Sequence, residues 1–120
     1  MTSDFGLPER AEQTVVKSII RLDSIGSTNS HLASLLRDGA CVGSAVIARE
    51  QTEGRGQLGR AWHSPKDLSL YISFSWRGST ADGLPATVSC AIAQALRAAC
   101  RVSANVRWPN DVVIDGKKVA

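Results

Sequence analysis

Alternating apolar and polar residues between positions 68 and 76 constrain the fold of this chain more than any other stretch. The apolar set is Leu68, Leu70, Ile72, Phe74 and Trp76, and the residues between them are Ser69, Tyr71, Ser73 and Ser75. Successive side chains of a β-strand point to opposite faces, so this period of two predicts a strand with one apolar face. A purely helical fold is therefore not expected.

The remaining periodic stretches predict two helices and five more strands. The helices are expected to run from Thr28 to about Arg37, after a capping turn at Ser27, and from about Pro85 to Cys100. Strands are expected at 15–22, 45–48, 105–108 and 112–114, and an Asp115-Gly116 hairpin turn leads into a return strand at 117–120. The apolar stripe of the second helix comprises Val88, Ile92, Ala95, Leu96 and Ala99. This order indicates an α/β (α+β) fold with a mixed, largely antiparallel sheet and packed helices.

Composition narrows the class of protein. The 120 residues suit one domain, which we expect at 15–120 after an N-terminal leader at 1–14. The net charge of +3 is mild, and no stripe of one sign predicts a nucleic-acid partner. Cys90 and Cys100 lie in an apolar helical pattern, which predicts buried, reduced thiols. With no signal peptide or membrane span evident, the expected location is the cytoplasm.

A glycine- and arginine-rich loop follows the apolar run at 45–48. Gly54-Arg55-Gly56-Gln57-Leu58-Gly59-Arg60 combines a backbone that a ligand can approach closely with cations that fit carboxylate or phosphate. It is not a P-loop, and no helix follows it as a dinucleotide fingerprint would require. The loop alone therefore predicts an anion site without naming the anion, and an ordinary solvated loop remains the alternative.

Four segments in order make the chain resemble the catalytic domain of biotin protein ligases. They are Ser27-Thr28-Asn29 at a helix start, Gln51 through Arg60, Trp62, and Arg107-Trp108-Pro109-Asn110-Asp111, with Gly116-Lys117-Lys118-Val119-Ala120 matching a further family segment. The resemblance spans roughly residues 18 to 120. It implies the class II synthetase-like fold shared by biotin and lipoate ligases, with a C-terminus that is incomplete at Ala120.

The resemblance also implies a reaction and its participants. Biotin and ATP with Mg2+ would form biotinyl-5'-AMP, and a lysine of a biotin carboxyl carrier protein would then take the biotin. The Mg2+ ion would be held through the nucleotide, and no dedicated protein metal site is expected. A homodimer is compatible with the family, whereas a nucleic-acid or membrane partner is not expected.

The resemblance assigns roles to the residues of the four segments. The catalytic cations would be Arg55 and Arg107, with Trp62 as a pocket wall. The residues expected to bind biotin or the adenylate are Ser27, Thr28, Asn29, Gln51, Gly54, Arg55, Gly56, Gln57 and Arg107. The Ser-Thr-Asn turn could equally serve only to cap its helix, and Asn110 and Asp111 could cap a turn or contact substrate.

Two positions depart from the family pattern and keep other functions open. Gln57 stands where arginine is common, and Arg107 stands where lysine is nearly constant. Arginine keeps the charge but is larger and fork-shaped, so this exchange is not automatically conservative. The alternatives are a lipoate or octanoate ligase on the same fold and a non-catalytic biotin-binding domain.

Overall fold

A computed structural model of the chain describes residues 16–77 and 83–120, which belong to two compact units divided after Arg77. The expected leader at 1–14 lies outside the described residues. The elements of the first unit are β1 (Ser18–Leu22), α1 (Thr28–Arg37), β2 (Ser44–Ala48), a 3-10 turn (Gln57–Gly59) and β3 (Tyr71–Phe74). Those of the second are α2 (Leu84–Cys100), β4 (Ala104–Arg107), β5 (Asp111–Ile114) and β6 (Lys117–Lys118). The mixed architecture confirms the predicted fold class.

In the first unit, β2 is the central strand of the sheet β1-β2-β3. It pairs parallel with β1 and antiparallel with β3. Helix α1 packs against β2 and β3, and its Leu32 is buried together with Val46, Ala48 and Tyr71. The helix begins and ends where the capping pattern predicts, and β2 is as thoroughly covered as its apolar run predicts.

The strand predicted at 68–76 is shorter than the sequence pattern and buries its other face. Only Tyr71–Phe74 forms β3, and Leu68 and Leu70 remain exposed in the loop before it. Within the strand Tyr71 is buried, whereas Ile72 and Phe74 keep 45% and 46% of their surface exposed. The polar-looking face is the inner one because Tyr71 and Ser73 face α1, where Ser73 bonds to Thr28. Alternation revealed the strand correctly but not which of its faces would be covered.

In the second unit, α2 packs on the antiparallel sheet β4-β5-β6. Its core consists of Ala93, Ala104 and Val112, with partly buried Leu96, Val102, Val106 and Ile114 against it. Asp115 and Gly116 both have positive φ, at 51° and 74°, as a two-residue hairpin turn requires. The predicted hairpin is therefore confirmed, with a return strand at Lys117–Lys118.

One expectation for α2 holds only in part, and one is wrong. Leu96 of the predicted stripe packs against the core, but the buried residues of the helix are Ser89 and Ala93, and Ile92 is 38% exposed. Cys90 and Cys100 are exposed free thiols and not buried ones. Within the second unit α2 packs on β4 and β5, and the sequence alone did not show which side of the helix this sheet would cover. No helix in the described stretches is long and apolar enough to cross a membrane.

Candidate ligand-binding site

The start of α1 forms one wall of a cavity in the first unit. Ser27 is the N-cap, with extended backbone (φ −151°, ψ 129°), and its hydroxyl accepts a hydrogen bond from the Ser30 N–H at 3.3 Å. Ser27 and Thr28 are both buried, whereas Asn29 is exposed. The helix cap thus fixes two buried hydroxyls at the place where the sequence predicted ligand-binding groups.

The Gln51 carboxamide joins this helix start to the glycine–arginine loop. Its Oε1 accepts hydrogen bonds from the Thr28 N–H at 2.8 Å and from the Thr28 hydroxyl at 3.1 Å. Its Nε2 donates to Ser64 Oγ at 3.1 Å. The backbone at Gln51 is also held, because its N–H donates to the Ser64 carbonyl at 3.1 Å. Gln51 is therefore a fixed polar group and not a solvated loop side chain.

The loop itself closes as a narrow two-stranded turn. The Trp62 N–H donates to the Gly54 carbonyl at 2.8 Å, and the Gly56 N–H donates to the Arg60 carbonyl at 2.7 Å. At the tip Leu58 has φ 59° and is 93% exposed. Gln57 is exposed beside it. The tip is thus ordered by backbone hydrogen bonds and makes no apolar core of its own.

Gly54 sits where no side chain would fit. A Cβ on this residue would lie 2.7 Å from Ser64 Oγ, 2.7 Å from the Trp62 carbonyl oxygen and 3.2 Å from Gln51 Nε2. Gly56 is less restricted, since its Cβ would be 3.5 Å from Trp62 Cε3, an ordinary contact. The indole of Trp62 therefore borders the loop at Gly56, with 51% of its residue surface exposed.

Arg55 supplies the positive charge at this cavity. Its Nη2 donates to Ser30 Oγ, which places the guanidinium over the first turn of α1. The cavity measures about 330 Å³ and is lined by Ser27, Ser30, Glu53, Gly54, Arg55, Gly59 and Ala61. The helix N-terminus and Arg55 both favour an anion there, and the Glu53 carboxylate opposes them. A ligand with a polar uncharged end and a carboxylate suits this combination.

Arg49 anchors the chain between β2 and the loop. Its guanidinium makes a bidentate contact with Asp67, at 2.7 and 2.6 Å, and reaches Asp23 at 3.1 Å. The hydrogen bond from Arg49 holds the pKa of Asp67 below its usual value. Because its guanidinium is paired with two carboxylates, Arg49 connects the end of β2 to Asp67 beyond the loop. Arg55, in contrast, faces the cavity.

Arg107 lies in the second unit, at the end of β4. Its Nη2 contacts Asp111 Oδ2 at 3.0 Å, and Lys118 Nζ lies 3.2 Å from the other oxygen of the same carboxylate. The hydrogen bond from Arg107, followed by the one from Lys118, lowers the pKa of Asp111. Asp111 is therefore held by two cations. The neighbouring Trp108 is 76% exposed and is not part of the core.

Sequence reasoning missed the residues that hold the predicted site together. Ser30, Ser64 and Ser73 each bond to a predicted site residue, and Glu53 lines the cavity. Single serines at these positions carry no local pattern, so only Ser73, on the polar side of the alternating strand, could have been suspected. Among the described residues no group of three or more His, Cys, Asp or Glu side chains is placed to hold a metal ion.

Comparison with known proteins places these features in a family context. Residues 22–120 match the biotin/lipoate A/B protein ligase family. The bifunctional ligase/repressor BirA of Escherichia coli is 36% identical over 86% of the chain and 33% of its own length. The biotin–[acetyl-CoA-carboxylase] ligase of Paracoccus denitrificans is 36% identical over 78% of the chain and 41% of its length.

A solved structure agrees with these sequence relatives. The biotin protein ligase of Aquifex aeolicus, in complex with biotin and ATP, superposes with a TM-score of 0.74 at 33% identity. It covers 86% of this chain, which in turn covers 44% of that protein. The chain thus spans a third to under a half of the length of these proteins.

Proposed function

The chain belongs to the biotin/lipoate A/B protein ligase family, and from this premise we propose that it carries the biotin site of an ATP-dependent biotin protein ligase. In the first step, a biotin carboxylate oxygen attacks the α-phosphorus of ATP, and pyrophosphate leaves. In the second, the neutral amine of an acceptor lysine attacks the acyl carbon of biotinyl-5'-AMP. An amide forms, AMP leaves and one proton is released.

The observation that carries this proposal is that neutral polar groups and an exposed cation meet at the start of α1. Ser27 and Arg55 line one cavity, and Thr28, which follows Ser27, is hydrogen-bonded to Gln51. Ser27, Thr28 and Gln51 offer hydroxyls and an amide, which suit a urea because it both donates and accepts hydrogen bonds. Arg55 suits the carboxylate at the far end of such a ligand. A phosphate alone would not need the neutral groups.

The residues act by binding the two reacting groups and neutralising their negative charges, since the reaction needs no protein nucleophile. The carboxylate and the α-phosphate repel each other, so a cation placed between them lowers the barrier. Arg55 is proposed to hold the carboxylate and then the adenylate phosphate, with backbone approach at Gly54 and Gly56. Gln57, exposed at the tip, lacks the charge that would add to this grip. Arg107 is proposed as a further catalytic cation on the strength of the family resemblance.

The other participants follow from the family and remain part of the proposal. ATP would be the nucleotide, with Mg2+ carried by its phosphates, and a biotin carboxyl carrier protein would be the acceptor. We also propose a cytoplasmic location and allow a homodimer, as expected from the sequence and its family resemblance. The Paracoccus denitrificans relative and the superposed structure are biotin ligases, which favours biotin over lipoate or octanoate.

The decisive assay is substrate-dependent pyrophosphate release by the complete gene product that contains these residues. With MgATP present, biotin should trigger release, and lipoate and octanoate should not. Release with lipoate or octanoate but not biotin would overturn the choice of substrate.

The non-catalytic alternative requires a second comparison. Arg107→Lys restores the residue that the family resemblance leads us to expect at this position. Should the revertant release pyrophosphate no faster than the parent, the arginine is not a defect. If only the revertant is active, the parent is a biotin-binding domain without activity.

A further inference from the structure

Five residues of the first unit form one continuous hydrogen-bonded chain from β3 through the start of α1 to the glycine–arginine loop. Ser73 Oγ lies 2.9 Å from Thr28 Oγ1, which donates to Gln51 Oε1 at 3.1 Å. On the other side, Gln51 Nε2 donates to Ser64 Oγ at 3.1 Å, and the Ser64 hydroxyl donates to the Trp62 carbonyl at 3.3 Å. The chain links β3, α1 and both arms of the glycine–arginine loop.

The direction of this chain is determined by its two backbone groups. The Thr28 N–H can only donate, so the Gln51 atom 2.8 Å away must be the oxygen. The Gln51 nitrogen then faces Ser64, which accepts from it. The Trp62 carbonyl can only accept, so the Ser64 hydroxyl proton must point to it. No alternative orientation of the Gln51 carboxamide satisfies both ends.

This direction decides what Gln51 can offer a ligand. Its oxygen already accepts two hydrogen bonds, both from Thr28, which uses the two lone pairs of a carbonyl oxygen. Its nitrogen gives one proton to Ser64 and keeps one. Gln51 can therefore meet a ligand only as a donor, and a ligand carbonyl oxygen, such as that of a urea, is its complement.

We propose that Ser64 is a positioning residue, which holds the Gln51 carboxamide with its donor available to the biotin urea. The proposal rests on the proposed function for the identity of the ligand. Ser64 is 4% exposed, and Gly54 leaves room for its hydroxyl, since a Cβ there would come within 2.7 Å of it. Without the Ser64 hydroxyl, Nε2 loses its partner and the carboxamide is held at one end only.

The test compares Ser64→Ala with the matched control Ser44→Ala in the complete gene product. Ser44 is also a serine with 4% exposure in the first unit, and its hydroxyl donates to the Cys41 carbonyl at 2.7 Å, at the opposite end of β2. We expect Ser64→Ala to raise the biotin KM about tenfold, the size of one lost hydrogen bond. The ATP KM should stay within about twofold, and Ser44→Ala should change neither.

Ser64→Cys is the conservative variant, and it tests the proposal even if Ser64→Ala folds poorly. A thiol is a weaker acceptor than a hydroxyl, so its biotin KM should lie between those of the parent and Ser64→Ala. Equal changes in the biotin and ATP KM, or equal effects of Ser64→Ala and Ser44→Ala, would reduce Ser64 to a structural residue and refute the proposal.

A ligand-free measurement separates failure of this proposal from failure of the proposed function. In the NMR spectrum one Gln51 carboxamide proton should exchange slowly with water, and Ser64→Ala and not Ser44→Ala should abolish that protection. If the parent does not bind biotin but the protection behaves as expected, the proposed function fails while the orientation of Gln51 stands. Unchanged protection in Ser64→Ala refutes the positioning role whatever the ligand.

Discussion

Replacing Gly54 by alanine should destabilise the protein by steric overlap, whereas Gly56→Ala should not. The new Cβ would lie 2.7 Å from both the Trp62 carbonyl oxygen and Ser64 Oγ. Optimal contacts of this kind are about 3.5 Å or longer. One or both atoms must therefore retreat by several tenths of an ångström.

The loss in free energy of unfolding depends on which of these two atoms can move away from the new methyl group. The Trp62 carbonyl is backbone, and the adjacent Trp62 N–H is bonded to the Gly54 carbonyl at 2.8 Å, so the Ser64 hydroxyl is the easier atom to displace. Overpacking costs roughly 1–3 kcal/mol, and each hydrogen bond lost by Ser64 adds about 1 kcal/mol. The lower entropy of the unfolded alanine chain offsets roughly 0.4–1 kcal/mol. The expected net loss in free energy of unfolding is about 2 kcal/mol.

Thermal unfolding followed by circular dichroism would measure this loss. For a domain of this size it corresponds to a fall in Tm of about 10 °C. Gly56→Ala is the control, because its φ of −95° suits alanine and its Cβ would meet only ordinary contacts. Indistinguishable Tm values for the two variants would show that the steric argument is wrong.

Three further outcomes are expected. Arg55→Ala should slow biotin-dependent pyrophosphate release about 10²-fold or more, because a charge that stabilises the transition state is lost. Its circular dichroism spectrum should be unchanged. A rate within a few fold of the parent would show that Arg55 has no part in the mechanism. Arg107→Ala should slow the same reaction to a similar degree. The Tm should be preserved, because Lys118 still pairs with Asp111. A large fall in Tm would assign Arg107 a structural role. Because the pKa of Asp111 is lowered in the folded protein, mainly by Arg107, the carboxylate adds stability above its unfolded pKa of about 3.9 and loses it as pH falls through the folded pKa. Asp111→Asn should therefore lower the urea midpoint at pH 6 and have progressively less effect below about pH 4, whereas a difference independent of pH would contradict the ion pairing.

The local elements could be predicted because their causes are local. The cap at Ser27 and the hairpin turn at Asp115-Gly116 depend on a few adjacent residues, and the structure has both as expected. The fold class followed from the order of such elements. The grouping of the predicted residues between Ser27 and Trp62 depended on the family resemblance, because nothing local links a helix cap to a loop more than 20 residues later.

Burial and long-range contacts could not be predicted in the same way. Whether Phe74 or Tyr71 is covered depends on which side of the sheet receives α1, and the alternation of β3 is the same in either case. The exposure of Cys90 and Cys100 likewise depends on which side of α2 meets β4 and β5, which an apolar helical pattern alone does not determine. Ser64 was missed because a serine followed by proline in a loop is common, and its partner Gln51 lies 13 positions away.

The hydrogen-bonded chain through Thr28, Gln51 and Ser64 also has a consequence for how substitutions within it combine. Groups in one network do not contribute independently, so the first replacement leaves its neighbours unsatisfied and a second replacement costs less than it would alone. Gly54 is tied to the same set by its lack of space for a side chain. Substitutions at these four positions should therefore destabilise the protein less in combination than the sum of their single effects.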